Sequence, residues 1–447
     1  MSPATLTLRR ALRLPPAPCL ALVGAGGKTR ALFTLAREFD PPVLLTTTTH
    51  LARDQADRAE VHWVLDNPSP EALARSLKSE LPPTRLLITG PLEDDRWTAP
   101  SPGQWAVLQR FAAARGLPLL VEADGAARKP LKAPAEHEPA LPDRVTHVVT
   151  VAGTAALGEP LTEERVHRAA RFAALVDAAP GATLTPAMVG RALAHPQGGR
   201  KGVPESAAWA ALLVGETATQ LAASQRVAEA VWQMGVRAAV LVARAREQEL
   251  EPVAVHLPVA GIVLAAGPSR RMEGKNKLLL PVEGEPMVRR TAKAALAAGL
   301  DPVVVVVGYD GEQVAAAVAD LPVRIVSNPH WEQGQSTSVR AGLQALPEGT
   351  GAAVFLLGDM PFVPPTLIRA LVTAHAQTLA PIVAPLVDHR RGNPVLFDVS
   401  TFPELMALQG DVGGRALFER YRYHPVPWFD ETTQIDLDTW EDYRRRA

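Results

Sequence analysis

Short apolar runs alternate with alanine-rich stretches along almost the whole chain, a rhythm that predicts parallel α/β units. In the first half, residues 20–23, 43–45, 86–88, 117–121 and 145–151 read as strands. Their largely apolar character suits strands covered on both faces, where neither side meets water. Residues 31–38 and 70–79 read as helices between them, and residues 159–243 read as mostly helical. The segment 246–258 (REQELEPVAVHLP) mixes charge with proline and predicts a linker. Beyond it the rhythm restarts, with strands predicted at 259–266, 303–307, 323–326, 352–357 and 382–385. The pattern therefore predicts an α/β protein with two doubly wound, mainly parallel-sheet domains, at residues 1–245 and 259–447. No fixed-period repeat relates the two halves.

Composition narrows the classes. The 447 residues carry a formal net charge of −1. At roughly 100–200 residues per domain, two or three domains fit, each able to bury its own core. A cut after residue 257 leaves +2 (28 basic, 26 acidic) on the first part and −3 (18 basic, 21 acidic) on the second. Neither value suits a general basic surface displacing counterions from nucleic acid. A single cysteine, Cys19, excludes an intramolecular disulfide framework and a paired-cysteine redox or zinc site. No run approaches the roughly 18 apolar residues that span a bilayer. Arg9 and Arg10 precede an apolar stretch, but Pro15, Pro16 and Pro18 interrupt the approach and Lys28 ends it. That stretch reads as a first strand and not as an export signal, so a cytoplasmic protein without a membrane or nucleic-acid partner is expected.

In the second half, a strand runs into Leu264-Ala265-Ala266-Gly267-Pro268-Ser269-Arg270-Arg271-Met272, followed by Lys277. Small residues let backbone amides approach a nucleotide, and the basic side chains place positive charge where phosphoryl transfer needs it. A glycine-serine loop with solvated basic residues is the plainer alternative. A second piece, Gly358-Asp359-Met360-Pro361, follows a buried strand. A carboxylate at that strand end lies where α/β sheets bind ligands and could hold Mg2+ with water and phosphate oxygens. In Ile435-Asp436-Leu437-Asp438, Asp436 is the second metal candidate, while Asp438 suits a helix cap.

These pieces, in this order, resemble the MobA-like nucleotidyltransferases, and most closely the molybdenum cofactor cytidylyltransferases. Further matches are Asn276-Lys277-Leu278-Leu279, Gly334-Gln335-Ser336-Thr337-Ser338, Gly392-Asn393-Pro394-Val395 and Gly410-Asp411-Val412-Gly413-Gly414-Arg415. The resemblance implies a Rossmann-like domain that transfers CMP from MgCTP to the phosphate of molybdopterin, releasing pyrophosphate. Leu264, Ala265, Ala266 and Gly267 would lie against the nucleotide. Arg271 and Lys277 would stabilise charge at the α-phosphate, with Asp359 catalytic, and Asp359 with Asp436 would hold the metal. Ala266 stands where relatives that transfer GMP usually carry glycine, which favours CTP. Glu273 stands where the family commonly has glycine.

In the first half, a strand leads into Gly24-Ala25-Gly26-Gly27-Lys28-Thr29. Glycine amides, a helix N-terminus, a lysine and a hydroxyl make a phosphate cradle, although the full GxxxxGK[ST] spacing is absent. A glycine turn with a capping threonine is the plainer alternative. Thr46–His50 follows the next strand, and Glu122-Ala123-Asp124-Gly125 offers carboxylates to a metal. Lys129, Lys132, Glu136, His137 and Glu138 follow in a stretch that reads as a solvated loop.

Together these motifs, with residues 120–139 (LVEADGAARKPLKAPAEHEP), His167-Arg168 and His195–Gly199, resemble the selenium-dependent hydroxylase accessory family YqeC. That resemblance implies a P-loop-like nucleotide-binding module that helps mature molybdenum hydroxylases. Gly24, Gly26, Gly27, Lys28 and Thr29 would bind ATP or GTP, and Glu122 with Asp124 would bind the metal. Residues 211–217 (ALLVGET) lack an Asn-Lys-x-Asp element, so the base stays open. The two halves imply a fused maturation protein whose partners are molybdopterin and a molybdenum hydroxylase apoenzyme. Transfer to another phosphorylated acceptor, and a non-catalytic cofactor carrier, remain the alternatives.

Overall fold

The computed structural model describes residues 5–66, 69–268, 276–430, 437, 440 and 443–444. It divides into two compact units, Met1–His256 and Leu257–Ala447.

The first unit is built on a nine-stranded sheet. Its strands are β1 (Cys19–Gly24), β2 (Val43–Thr47), β3 (Val61–Val64), β4 (Arg85–Thr89), β5 (Leu119–Glu122), β6 (His147–Gly153), β7 (Ala208–Gly215), β8 (Val240–Ala245) and β9 (Leu250–His256). They lie in the order β9-β8-β7-β6-β1-β5-β2-β4-β3, parallel except for β9. Residues 20–24 and the whole of β2 are buried, as a sheet with both faces covered demands. Helices α1 (Lys28–Arg37), α2 (Pro70–Ser79) and α3 (Pro102–Arg115) occupy its amino-terminal part. Leu73 and Leu77 of α2 and Leu108 of α3 join one core cluster with Ala21, Val23, Leu44 and Leu119. Ser69 and Ser101 cap α2 and α3, and a proline opens each.

Two expectations fail here. Residues 159–243 contain helices α4 (Ala169–Val176), α5 (Pro186–Ala194) and α6 (Ser224–Gln233), but also strands β7 and β8. A continuous apolar run such as residues 208–215 (AWAALLVG) has no period that separates a buried strand from a buried helix. The expected linker 246–258 instead contains β9, paired antiparallel with β8 at the sheet edge. Pro252 is tolerated there because the ladder shifts register between Val242 and Ala243, the residue it opposes.

The second unit holds a mixed sheet of β10 (Val259–Ala265), β11 (Val303–Val307), β12 (Arg324–Ser327), β13 (Ala352–Leu357), β14 (Ile382–Val387), β15 (Val395–Asp398) and β16 (Tyr423–Pro427). The order is β12-β11-β10-β13-β15-β14, with β16 and the short hairpin strand Arg390–Arg391 also on β14. Strands β10 to β13 pair in parallel, and β15 runs against its neighbours. All five valines of β11 are buried, at roughly 1.5–3 kcal/mol each relative to exposure. Helices α7 (Met287–Ala297), α8 (Gln335–Gln344) and α9 (Pro365–Thr378) cover the sheet.

In both units the chain leaves the central strand toward one side and later crosses to the other. The carboxyl ends of β1 and of β10 are therefore switch points, where a crevice forms beyond the strands.

Candidate functional site

At the end of β1 the backbone turns through Gly24, Gly26 and Gly27, all with positive φ (91°, 81° and 145°), into α1. A Cβ on Gly24 would stand 2.3 Å from the Val151 carbonyl oxygen, and one on Gly26 would stand 2.6 Å from the Gly153 nitrogen. Only glycine lets the loop lie this close to β6. No side chain caps α1, so its first-turn amides remain available to an anion. Lys28 is 5% exposed and folds back over the loop, donating to the Gly24 carbonyl at 2.8 Å.

Four charges converge behind this loop. Lys28 Nζ lies 3.3 Å from Asp124 and 3.8 Å from Glu122. The Thr29 hydroxyl donates to Glu122 at 2.8 Å and accepts from Gln55 at 2.9 Å. The Gly24 amide donates to Asp124 Oδ2 at 3.0 Å, and Lys132 reaches the same oxygen at 2.8 Å. Burial pushes the Glu122 carboxyl up, and Lys28 and the Thr29 hydrogen bond pull it back. Asp124 Oδ1 is buried and accepts no hydrogen bond, although Lys28 Nζ faces it at 3.3 Å. A buried carboxylate oxygen with spare acceptor capacity, beside a threonine hydroxyl and Glu122, suits a hard divalent cation.

The expected solvated loop around residues 129–138 is corrected in part: Glu136 and His137 are exposed, but Lys132 and Glu138 are not. Lys132 has 2% side-chain exposure and also pairs with Glu138 at 2.8 Å. Glu138 further accepts two bonds from Arg168, at 2.9 and 3.2 Å. Burial would raise the Glu138 carboxyl, but the hydrogen bond and charge of Lys132 and the bonds from Ala135 and Arg168 outweigh it, leaving it at about 2. Cys19 begins β1, and burial pushes its thiol up to about 11, outweighing a hydrogen bond with Gln109. Such a thiol stays protonated and poorly nucleophilic near neutrality.

In the second unit, the end of β10 opens into a cavity of about 840 Å3 lined by Leu264, Ala266 and Gly267. Ala265 faces the other way, into the core with Val263 and Val305. Lys277 and Asp359 pair at 2.6 Å on the cavity wall, with 13% and 20% of their side chains exposed. Asn276 holds the lysine's turn, its side chain accepting from the Leu278 amide at 3.1 Å. The Gly358 amide donates to the Leu264 carbonyl at 3.0 Å, tying the two strand ends together. Arg271 and Asp436, with Arg270, Glu273 and Asp438, lie outside the described residues.

Motifs noted without a role turn out to build the cavity wall. Gly334, with φ 105°, approaches Gly410 so closely that a Cβ would stand 2.4 Å from its carbonyl carbon. The Gln335 amide donates to Asp411 Oδ1 at 3.3 Å and the Ser336 amide to the Gly410 carbonyl at 3.2 Å, so the first amides of α8 are capped at this wall. Trp331, which no sequence signal singled out, also lines the cavity, edge-on to Tyr309. A second pocket of about 330 Å3 shares Leu264, Gln335, Leu357 and Asp411 with the first and adds Arg391 and Arg415. Among the described residues, no group of three or more His, Cys, Asp or Glu side chains gathers where it could hold a metal ion by itself. No described helix is long and apolar enough to cross a membrane.

Comparison with known proteins follows the same division. Residues 20–170 match the YqeC protein family, and residues 261–426 match the MobA-like NTP transferase domain. The uncharacterized protein YqeC of Escherichia coli is 35% identical over 196 residues, which cover 42% of this chain and 71% of that protein. Nicotine blue oxidoreductase of Paenarthrobacter nicotinovorans is 32% identical over 201 residues, covering 42% of this chain and 95% of that protein. The crystal structure of Rv0371c from Mycobacterium tuberculosis aligns with 29% identity and a TM-score of 0.39, covering 42% of this chain and 97% of that one. The chain belongs to the YqeC family through its first unit and, through its second, to the MobA-like NTP transferase family, where it is a nucleotidyltransferase.

Proposed function

We propose that the second unit transfers CMP from CTP to the phosphate of molybdopterin and releases pyrophosphate. The observation that carries this reading is the close Lys277–Asp359 pair at the joined ends of β10 and β13, inside a cavity with a pocket beside it. The nucleotide would lie along Leu264, Ala266 and Gly267. Lys277 would face the α-phosphate and place positive charge there. An oxygen of the acceptor phosphate attacks the α-phosphorus, forming a new P–O bond while the α–β bridging P–O bond breaks. The electron pair leaves with pyrophosphate, and Lys277 offsets the charge developing at the reacting centre. Asp359, with Asp436, would hold Mg2+, which supplies charge neutralisation at the phosphates. The adjoining pocket, with Arg391 and Arg415, has the charge to take a phosphorylated acceptor.

The first unit, in this reading, is a nucleotide-binding accessory module for maturing a molybdenum hydroxylase. Gly24, Gly26, Gly27 and Lys28 would cradle the phosphates of ATP or GTP. Thr29, Glu122 and Asp124 would hold a divalent cation there, in place of the Lys28 ammonium that faces Asp124 Oδ1 at 3.3 Å.

Pyrophosphate release, measured with CTP, GTP and ATP, each with and without molybdopterin, tests the proposal. Release is expected with CTP only when molybdopterin is present. Release with a sugar phosphate instead would reassign the acceptor, and binding without release would make the chain a carrier. The activity named for the Paenarthrobacter relative gives a second reading, oxidoreduction, favoured by 95% coverage of that protein. A redox change of a pigment substrate by this chain, without pyrophosphate release, would select it.

A further inference from the structure

Beside the phosphate loop, and separate from it, the first unit has a cavity of about 640 Å3. His50, Arg96, His137 and His167 line it, together with Glu138 and Thr49. These residues come from segments that the fold has to assemble. His50 opens the short strand His50–Ala52 just beyond β2, which pairs with Arg96–Thr98, setting Thr98 opposite His50 and Arg96 opposite Ala52, two positions along the same ladder. His167 ends a two-residue strand, Val166–His167, paired with Leu131–Lys132. His137 stands in the loop that follows. None of these four side chains is used by the phosphate-loop network described above.

Charge and polarity at the cavity point one way. Its one carboxylate, Glu138, is already held by Lys132 and Arg168, so its charge is offset locally. What remains is a guanidinium and three imidazoles. Three histidines without a converging geometry are not a metal site: none is found among the described residues. The volume is in the range that takes a small organic ligand.

We propose that this cavity binds a small organic molecule through an oxyanion, a phosphate or carboxylate group, held by Arg96 and the three histidines. Gly125 lines the cavity directly after Asp124. The bound molecule would therefore sit next to the loop as a second substrate, a role that rests on reading the loop as a nucleotide site. Oxyanion binding itself does not depend on that reading.

The test follows the ring protons of His50, His137 and His167 by NMR in the full chain, assigned by single His→Gln substitutions. Inorganic phosphate, phenylphosphonate and benzoate are the probes, the last two separating phosphate-type from carboxylate recognition. The three rings are expected to shift together with one common Kd for at least one organic probe, tighter than for inorganic phosphate. Arg96→Ala should weaken that Kd at least about tenfold, or about 1.4 kcal/mol. Arg96 and His137 are exposed, so Arg96→Ala and His137→Gln should both fold, and both should weaken binding. Rings that stay still, that shift with unrelated Kd values, or that respond normally in Arg96→Ala overturn the proposal. The titration is repeated with a non-hydrolysable ATP or GTP analogue, whose own phosphorus signals report its binding. A histidine response that vanishes when the analogue binds would place the anion on the loop and also overturn the proposal. An analogue that does not bind, beside an intact histidine response, counts against the nucleotide reading alone.

Discussion

Lys132 bridges Asp124 and Glu138 at 2.8 Å each, with 2% of its side chain exposed. Lys132→Met keeps most of the side-chain volume and removes the charge, leaving two largely buried carboxylates without their shared cation. Deleting one partner of a buried ion pair costs about 3–5 kcal/mol, because the other charge stays desolvated. Two contacts hold the figure to the lower end. Arg168 still reaches Glu138 at 2.9 Å, and Lys28 still faces Asp124 at 3.3 Å. About 3 kcal/mol is therefore expected. For a unit of this size, at about 2–4 °C per kcal/mol, melting of the first unit should fall by about 6–12 °C. Differential scanning calorimetry of the full chain reads this directly, with the second unit's transition as an internal reference. Adding Asp124→Asn should bring the melting temperature partway back, since an amide needs no counter-ion. A shift in Lys132→Met below about 2 °C, or no recovery in the double variant, would refute the claim that this network is buried and mutually dependent.

Asp359→Ala should lower pyrophosphate release at least about a hundredfold, the scale of losing one electrostatic contact to a transition state, without lowering the unit's melting temperature by more than a few degrees. A variant with normal turnover would remove Asp359 from the chemistry. Gly26→Ala should abolish nucleotide binding at the first unit in calorimetric titrations, because its Cβ would meet the Gly153 nitrogen and the Pro130 carbonyl. Wild-type affinity in that variant would mean that the loop bends without cost. His256 is held at about 4, below its ordinary 6.5, by burial. Folded His256 therefore resists the proton that the unfolded chain accepts. Stability is full above pH 6.5 and falls as pH drops from 6.5 to 4, by about 3 kcal/mol in all. Urea titrations across that range should show the fall, and His256→Gln should flatten it; an unchanged pH slope in the variant would assign the fall to other groups.

Much of this architecture was legible because buried parallel strands must be apolar throughout. Valines 303–307 could hardly be anything else, and Ser69-Pro70 marked the start of α2 with a cap and a proline. The misreadings share a cause. Residues 208–215 and 240–243 are apolar on both faces, so they carry no alternation, and their alanines imitate a helix. Strand β9 looked like a linker because an edge strand can expose Glu251 and seat Pro252 at a bulge. Site chemistry divided the same way. Glycine loops and strand-end acids announce themselves locally, as Gly24–Thr29, Asp124 and Asp359 did. The burial of Lys132 does not, because it depends on β5 and a later loop folding over the same point. The approach of Gly334 to Gly410 spans 76 residues and has no local signature beyond the glycines themselves.

In the proposed reaction the second unit moves CMP onto a molybdopterin phosphate with Lys277 and Asp359 at the reacting centre. Incubating the full chain with molybdopterin, Mg2+ and CTP labelled at the α-phosphate tests this step. Label should appear in the pterin product, with one pyrophosphate per labelled product, and both should be lost in Asp359→Ala. Label that stays in CTP, or that reaches the pterin equally well in Asp359→Ala, would contradict it.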